Sequence, residues 1–340
     1  MSDLDIAALT SWLRQAVRGF ETVEIIERFS GGQSNPTYRL ETSNHRYVLR
    51  RKPFGHLLPS AHAVDREYRL LTALHPTGFP VPRPIAFCDD PTVIGSVFYL
   101  MDMVDGRTVW DGALPDLPVE HRLAHYDALV DTLASLHNLD HEKIALAQFG
   151  APGNYFRRQV DRWTRQYRAS QTDSILEIEN LIAWLPDSIP EQTRSAIIHG
   201  DYRIDNVIFA RAGAEVRAVL DWELATIGDP LADFAYLAMH WILPRDGRAG
   251  LAGCNFQELG LPTLEHITDR YCARTGRDGL PELHWYFAYN LFRLVGIGQG
   301  IKKRLLEGNA SSPGAAEAIE SLVPLAQTAW AEARKAGARA

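Results

Sequence analysis

A polar loop at residues 199–206, with the pattern H-x-D-x4-N, is the feature that most constrains this chain. Apolar residues 196–198 lead into the loop, and two further apolar runs, residues 207–209 and 216–220, follow it with a glycine turn between them. Short apolar runs bounded by turn residues are typical of buried strands. The sequence therefore predicts a polar loop, then a β-hairpin, with Asp221 at the exit of the hairpin.

The polar residues of this stretch suit one kind of chemistry. Their spacing resembles that of a kinase catalytic loop followed by its metal-binding Asp. Phosphoryl transfer needs a carboxylate that orients and deprotonates the attacking hydroxyl, and oxygen ligands that hold Mg²⁺. We predict Asp201 for the first role, and Asn206 and Asp221 for the second, with Glu223 as a further ligand. The alternative is a polar loop between strands, in which Asp and Asn serve turns.

A glycine-containing loop lies between two strands predicted earlier in the chain. The strands are residues 23–29 and 37–40, and the loop is residues 30–36. Backbone N–H groups in such a loop can bind phosphates, although a tight hairpin also requires glycine. Because the loop precedes the polar loop at 199–206, we interpret it as a phosphate lid. Its predicted nucleotide-binding residues are Gly31, Gly32, Ser34 and Asn35.

The next predicted strand, residues 47–50, ends in basic side chains. It places Arg50 where kinases usually carry a phosphate-binding lysine. Lys52 lies on the same strand face and can share or take that role, because side chains alternate along a strand. A solvated basic strand end is the alternative. In the helix that follows, Glu67 is either the partner of this base or a surface charge.

An apolar strand at residues 97–101 runs into a glycine-containing turn. We expect a hinge there, where backbone groups of Asp102 and Met103 read adenine; a core strand with a plain turn is the alternative. The chain has 340 residues, of which 46% are apolar, enough for one large domain or two lobes. We predict a nucleotide-binding lobe at residues 1–104 and a catalytic and substrate lobe at residues 105–340.

Composition excludes several other classes of function. The net charge of −7 argues against a nucleic-acid partner. No apolar run reaches the roughly 20 residues needed to span a bilayer, so we expect no membrane partner. The three cysteines are widely spaced, which argues against a disulfide framework and indicates the cytoplasm.

Charged residues on three later helices are further candidates for a function. Arg158, Arg162 and Arg165 share one face of a predicted helix, which is either solvated or an anion-binding row. Asp233, on an apolar helix, is predicted to hydrogen-bond loop backbone. Arg293, on a long helix at residues 284–305, is predicted to rim a substrate cleft.

Taken together, these motifs resemble the aminoglycoside phosphotransferase/choline kinase-like superfamily. The residues that carry the resemblance are 30–32, 47–52, Glu67, 199–206, 220–223 and 228–233. Protein kinases have Asp-Phe-Gly at the metal acid, whereas the Asp-Trp-Glu that begins at Asp221 is similar to small-molecule kinases. Residues 49–53 and 59–68 look most like a narrower group, the kinase-like domain fused to some acyl-CoA dehydrogenases.

The resemblance implies an α+β, bilobal protein-kinase-like fold, with an N-lobe antiparallel sheet plus helix and a mainly helical C-lobe. It also implies ATP and Mg²⁺ as cofactors. We therefore expect an ATP-dependent phosphotransferase acting on a small-molecule hydroxyl, with a hydroxyacyl-CoA favoured as the acceptor. An aminoglycoside-type kinase and a nucleotide-binding regulator without turnover remain alternatives.

Overall fold

The computed structural model describes residues 4–29, 35–54, 63–151, 153–245, 249–308 and 319–339. Contacts divide the chain into two compact units. The first comprises Met1–Thr132, Asp140–Ala147 and Ile204–Ala225, and the second comprises Leu133–Leu139, Gln148–Arg203 and Thr226–Ala340. The lobe boundary near residue 104 stays a prediction, because these units are defined by contacts alone.

A five-stranded antiparallel sheet forms the centre of the first unit. Its strands, in order of pairing, are β1 (Ile25–Arg28), β2 (Thr37–Glu41), β3 (Arg46–Arg51), β5 (Phe98–Asp102) and β4 (Pro84–Cys88). Leu40 of β2 and Leu49 of β3 are fully buried in one core cluster. Because side chains alternate along a strand, Arg50 lies on the opposite face of the sheet from Leu49.

Two helices cover the two faces of this sheet. Helix α1 (Ile6–Ala16) packs its buried leucines into the cluster that contains Leu49. Helix α2 (Val64–Leu74) packs against β4 and β5, and its Tyr68 ring lies 5.9 Å from the Tyr99 ring. Since Tyr99 pairs with Arg50 in the sheet register, α2 lies over the face that carries Arg50.

The predicted hairpin is present in the first unit. Strand β7 (Val207–Phe209) pairs antiparallel with β8 (Val216–Val219), and Val207 is opposite Val219. Single turns of 3-10 helix precede and follow the hairpin, at Ile204–Asn206 and Trp222–Leu224. Helix α2 packs against the second of these turns. The hairpin exit is thereby held beside the face of α2 that carries Glu67.

The second unit is mainly helical. Its longest helix packs against four of the others, and the unit also contains a short antiparallel strand pair. The elements are α4 (Tyr155–Ser170), α5 (Leu176–Trp184), β6 (Ala196–Ile198), β9 (Thr226–Gly228), α6 (Leu231–Ala238), α7 (Phe256–Leu259), α8 (Leu264–Thr275), α9 (Leu283–Leu306) and α10 (Leu322–Lys335). Helix α3 (Val119–Asn138) contributes residues to both units.

Aromatic side chains fill the interior around α9. The Phe156 ring of α4 lies 5.1 Å from that of Trp285, 5.2 Å from that of Tyr286 and 4.9 Å from that of Tyr289. Edge-to-face packing of this kind adds to the free energy of burying the rings. These contacts hold α4 and α9 together, and Arg293 of α9 donates to the Gly200 carbonyl in the loop that follows β6.

Candidate active site

Arg50 lies among three carboxylates in the first unit. Its Nε is 3.1 Å from Oε2 of Glu67. Its Nη2 is 2.8 Å from Oδ1 of Asp221 and 3.4 Å from Oε2 of Glu223. One guanidinium thus faces three carboxylates, which leaves a formal charge of −2 when all are ionised.

The pKa of Glu67 reflects this excess of negative charge. Burial raises the pKa of Glu67 to about 7, and the nearby charges of Asp221 and Glu223 add to the rise, while Arg50 opposes it. The Glu67 side chain is only 3% exposed. A partly buried group of like charges with one counter-ion is a place where a further cation is favourable.

The hairpin brings two predicted metal ligands to its open end. The backbone N–H of Leu220 donates to the carbonyl of Asn206 at 2.8 Å, so Asn206 lies beside the residue that precedes Asp221. Asp221 has a left-handed backbone, with φ of 64°. This conformation is uncommon outside glycine, and Asp adopts it more readily than most residues. It directs the Asp221 carboxylate to Arg50.

Lys52, the second candidate for the phosphate-binding base, has a different partner. Its Nζ lies 3.2 Å from Oδ1 of Asp65, and both side chains are partly exposed. Arg50 therefore contacts Glu67 and both carboxylates at the hairpin exit, whereas Lys52 pairs with Asp65 of α2.

The predicted hinge residues already use their backbone donors. The N–H of Asp102 donates to the carbonyl of Arg83 at 2.9 Å, and that of Met103 donates to the carbonyl of Arg46 at 3.1 Å. The Asp102 carboxylate also accepts from Arg83 Nε at 2.7 Å and lies 2.9 Å from His45 Nε2. Because both N–H groups are used within the protein, the hinge stays a prediction.

Three of the predicted lid residues, Gly31, Gly32 and Ser34, lie outside the described residues. The fourth, Asn35, is described and buried, and its carbonyl accepts from the Thr37 hydroxyl at 3.0 Å. The proposed contacts of this loop with phosphates stay predictions.

In the second unit, β6 leads directly into the loop that carries Asp201. Oδ1 of Asp201 is 3.9 Å from Nε of Arg203. Buried Asp233 on α6 accepts the N–H of His199 at 2.5 Å and that of Gly200 at 2.8 Å. Asp233 thus hydrogen-bonds the loop backbone, as expected from the sequence.

Arg293 has a role that the sequence did not indicate. Instead of rimming a cleft, it is buried, with 9% exposure, and its Nη2 donates to the carbonyl of Gly200 at 2.7 Å. Arg158, the first residue of the predicted anion-binding row, donates to the backbone carbonyls of Ala151 and Gly153. That row is therefore reduced to exposed Arg162 and Arg165.

Across the described part of the chain, no three or more His, Cys, Asp or Glu side chains are grouped to hold a metal ion. The predicted Mg²⁺ ligands contain only two such side chains, Asp221 and Glu223, together with the amide of Asn206. Among the helices that the structure describes, none is long and apolar enough to cross a membrane.

A sequence model of a protein family, described as the phosphotransferase enzyme family, matches residues 25–267. This range includes both the Arg50 cluster and the loop that carries Asp201. The chain belongs to the phosphotransferase enzyme family. The predicted family and the predicted reaction class, phosphoryl transfer, are thereby confirmed.

Curated relatives in this family contain much longer chains. Acyl-CoA dehydrogenase family member 10 of Mus musculus is 43% identical over 314 residues, which cover 92% of this chain and 29% of that protein. Acyl-CoA dehydrogenase family member 11 of Rattus norvegicus is 40% identical over 331 residues, covering 95% of this chain and 42% of that protein. The phosphotransferase chain thus spans less than half the length of these relatives. The resemblance to a domain found in acyl-CoA dehydrogenase proteins is confirmed.

Solved structures confirm the fold. A Ralstonia eutropha protein, provisionally assigned as an aminoglycoside phosphotransferase, has a TM-score of 0.90 and 42% identity, with 98% of this chain and 99% of that chain covered. A mutant of aminoglycoside phosphotransferase APH(4)-Ia, solved with ADP and hygromycin B, has a TM-score of 0.63 at 17% identity, covering 98% and 100%. The predicted α+β, bilobal kinase-like fold is therefore correct.

Proposed function

We propose that this phosphotransferase transfers the γ-phosphoryl group of ATP to a hydroxyl of a small molecule. The observation that carries the proposal is the convergence of Glu67, Asp221 and Glu223 on Arg50. A fold neighbour crystallised with ADP supports ATP as the donor. Phosphoryl transfer is catalysed chiefly by positioning and by charge stabilisation, which a cluster of this kind can supply.

We propose that Mg²⁺ binds at Asn206, Asp221 and Glu223. Two of the three carboxylates around Arg50 converge on one of its nitrogens, so their oxygens already face a single cation. Hard oxygen ligands of this type fit Mg²⁺, and the formal excess of negative charge favours a divalent ion. When held by these three side chains, Mg²⁺ would neutralise negative charge on the phosphates.

Arg50 is the proposed phosphate-binding base. Glu67 forms an ion pair with its guanidinium on the Nε side, at 3.1 Å from Oε2. Arginine has five donors in a planar fork, so it can hold carboxylates and still donate to a phosphate oxygen. In this arrangement Lys52 supplies positive charge nearby rather than the direct contact.

Asp201 is the proposed general base. Its carboxylate would orient the acceptor hydroxyl and accept its proton as the phosphoryl group is transferred. Support comes from the loop around it, since Asp233 holds the two preceding N–H groups in place. A fixed carboxylate is what proton transfer at a defined atom requires.

For the acceptor, we propose a hydroxyacyl-CoA in preference to an aminoglycoside. Arg203 lies by the loop of Asp201, with its Nε 3.9 Å from Oδ1 of Asp201, and its side chain is partly exposed. Its guanidinium can donate to an anionic group of a CoA acceptor, which an aminoglycoside lacks. Against this stand neighbours named for hygromycin B and viomycin, so both classes belong in the test.

We also propose a cytoplasmic location, which the three free cysteines support. A nucleotide-binding regulator without turnover remains the competing function. Its one supporting observation is the arginine at position 50 in place of the lysine expected in kinases.

A coupled ADP-release assay with Mg-ATP tests these proposals. The acceptor panel contains hydroxyacyl-CoA thioesters and aminoglycosides, and Asp201→Asn is compared with Asp187→Asn, an exposed aspartate of the same unit. We expect Asp201→Asn to lower turnover on the order of 10²-fold or more, as for loss of a general base, with Asp187→Asn unchanged. The regulator would be favoured if no acceptor raises ADP release above background and Asp201→Asn leaves that rate unchanged. A higher kcat/KM for aminoglycosides would refute the CoA assignment.

A further inference from the structure

The peptide of Gly200 is held on both sides. Its N–H donates to Oδ1 of Asp233 at 2.8 Å, and its carbonyl accepts from Nη2 of Arg293 at 2.7 Å. Gly200 has a left-handed backbone, with φ of 86°. Because Gly200 directly precedes Asp201, these two bonds fix the backbone from which the Asp201 carboxylate extends.

Arg293 reaches this position through an aromatic environment. Its guanidinium lies 5.7 Å from the Trp163 ring centre and 5.2 Å from that of Tyr236. Burying a guanidinium costs free energy unless its charge and donors find partners. The two ring faces and the Gly200 carbonyl are such partners, and the carbonyl is the one that belongs to the Asp201 loop.

Tyr236 lies between the guanidinium of Arg293 and the carboxylate of Asp201. The Tyr236 side chain is buried, and burial raises its pKa. The charge of Asp201 and a side-chain hydrogen bond with Asp201 raise it further. Protonated Tyr236 can therefore donate to the carboxylate, while the face of its ring packs against Arg293.

We propose that Arg293 and Tyr236 are positioning residues for Asp201, an inference that rests on the proposed function. Arg293 fixes the Gly200 peptide, and Tyr236 orients the carboxylate. Neither residue needs to touch ATP or the acceptor. Both act through Asp201, so their loss should change the rate of transfer and leave nucleotide binding intact.

The test compares kcat and KM for Mg-ATP in the coupled assay, with the most active alcohol of the panel held constant. The variants are Arg293→Met, Arg293→Lys and Tyr236→Phe. The matched controls are Arg304→Met on the same helix and Tyr286→Phe, a buried tyrosine for which no contact with Asp201 is recorded among the described residues. Circular dichroism and thermal unfolding establish that each variant is folded.

We expect Arg293→Met to lower kcat about tenfold or more, with KM for Mg-ATP within about twofold, because small misplacement of a reacting group is costly. Arg293→Lys should recover part of the loss, since an ammonium can still donate to the Gly200 carbonyl. Tyr236→Phe should also lower kcat and leave KM for Mg-ATP within about twofold, because the carboxylate loses a donor that orients it. The two controls should match the wild type.

A double-mutant cycle separates action through Asp201 from general damage. In an Asp201→Asn background, Arg293→Met should lower the residual rate by less than about twofold, because the group it positions is already lost. An undiminished loss there, or a rise in KM with kcat unchanged, overturns the proposal. If Arg293→Met fails to fold, Arg293→Lys and Tyr236→Phe are tested in its place, with the same comparison of kcat and KM and the same double-mutant cycle.

Failure of this inference and failure of the proposed function give different results. If Asp201→Asn collapses turnover while Tyr236→Phe and the Arg293 variants keep the wild-type kcat, only the positioning roles are wrong. If Asp201→Asn itself has the wild-type rate, the proposed function is wrong, and the positioning roles fall with it.

Discussion

Arg50 on β3 and Asp221 after β8 are 171 residues apart in sequence, and Nη2 of the first lies 2.8 Å from Oδ1 of the second. The contact joins the central sheet to the hairpin exit within the first unit. Glu67 on α2 holds the other side of the same guanidinium. Sheet, helix and hairpin therefore meet at one charged side chain, which makes Arg50 important for stability as well as for the proposed chemistry.

Arg50→Met should destabilise the fold and weaken ATP binding together. The substitution leaves buried Glu67 without its counter-ion, and breaking a buried pair in this way costs roughly 3 kcal/mol. Lys52→Met is the matched control, since the Lys52–Asp65 pair is partly exposed and such pairs contribute about 1 kcal/mol or less. Urea unfolding and titration with a fluorescent ATP analogue measure the two effects. Equal losses in the two variants would contradict the central role of Arg50.

Glu67 should make stability fall as pH rises through a defined window. A glutamate in the unfolded chain has an ordinary pKa of 4.5, and burial raises the pKa of Glu67 to about 7 in the fold. Between these values the native state binds more protons than the unfolded chain, so the free energy of unfolding decreases with rising pH. Below about pH 4.5 this contribution is fully present, and above about pH 7 it is lost.

Glu67→Gln has no proton to exchange, so it should lack this component. Urea midpoints measured from pH 5 to pH 8 should therefore fall more steeply for the wild type than for the variant. Parallel curves would mean that Arg50 keeps Glu67 ionised throughout. In that case Glu67 would keep its negative charge below pH 7, and the cluster around Arg50 would be more negative at low pH than a Glu67 pKa of about 7 implies.

The elements around this cluster could be predicted from sequence because their local signals were strong. The apolar runs before and after residues 199–206 are β6, β7 and β8, and the strand predicted at residues 47–50 lies within β3. Helix α8 was missed, although Thr263 caps its first turn and Gly276 ends it in a left-handed conformation. Those capping signals were available in the sequence.

Other features depend on tertiary packing and had no local signal. Arg293 was predicted to rim a substrate cleft, whereas the structure buries it. Its burial depends on the rings of Trp163 and Tyr236, which come from distant parts of the chain. The sequence likewise identified Arg50 and Asp221 separately, but their contact arises from the pairing of the sheet and the packing of α2 against the turn after the hairpin.

Asp221→Asn should raise the Mg²⁺ requirement of the reaction. An amide keeps the shape of the carboxylate but loses its charge, and Mg²⁺ depends on charged oxygen ligands. We expect the Mg²⁺ concentration for half-maximal rate to rise about tenfold or more, by analogy with the loss of a metal-supporting group. ADP release at fixed ATP and varied free Mg²⁺ measures this change. Glu215→Gln, an exposed acidic residue of the same hairpin, is the control and should leave the requirement unaltered.

Gly106→Ala should destabilise the first unit through a steric clash. A Cβ at Gly106 would lie 2.3 Å from the carbonyl oxygen of Phe209 and 2.4 Å from Cγ2 of Ile208. Real Cβ contacts are not that short, so the backbone must shift, and the adjacent Arg107–Phe209 bridge to β7 would be disturbed. We expect a lower melting temperature and, because β7 begins immediately after Asn206, a raised Mg²⁺ requirement.

Gly300→Ala is the matched control. Its Cβ would meet only Arg304 Nη1, at 3.7 Å, and alanine favours a helix by about 1 kcal/mol over glycine. A melting temperature that is unchanged or raised for Gly300→Ala and lowered for Gly106→Ala is the expected pair of results. Equal melting temperatures for the two variants would show that the hairpin tolerates displacement at Gly106.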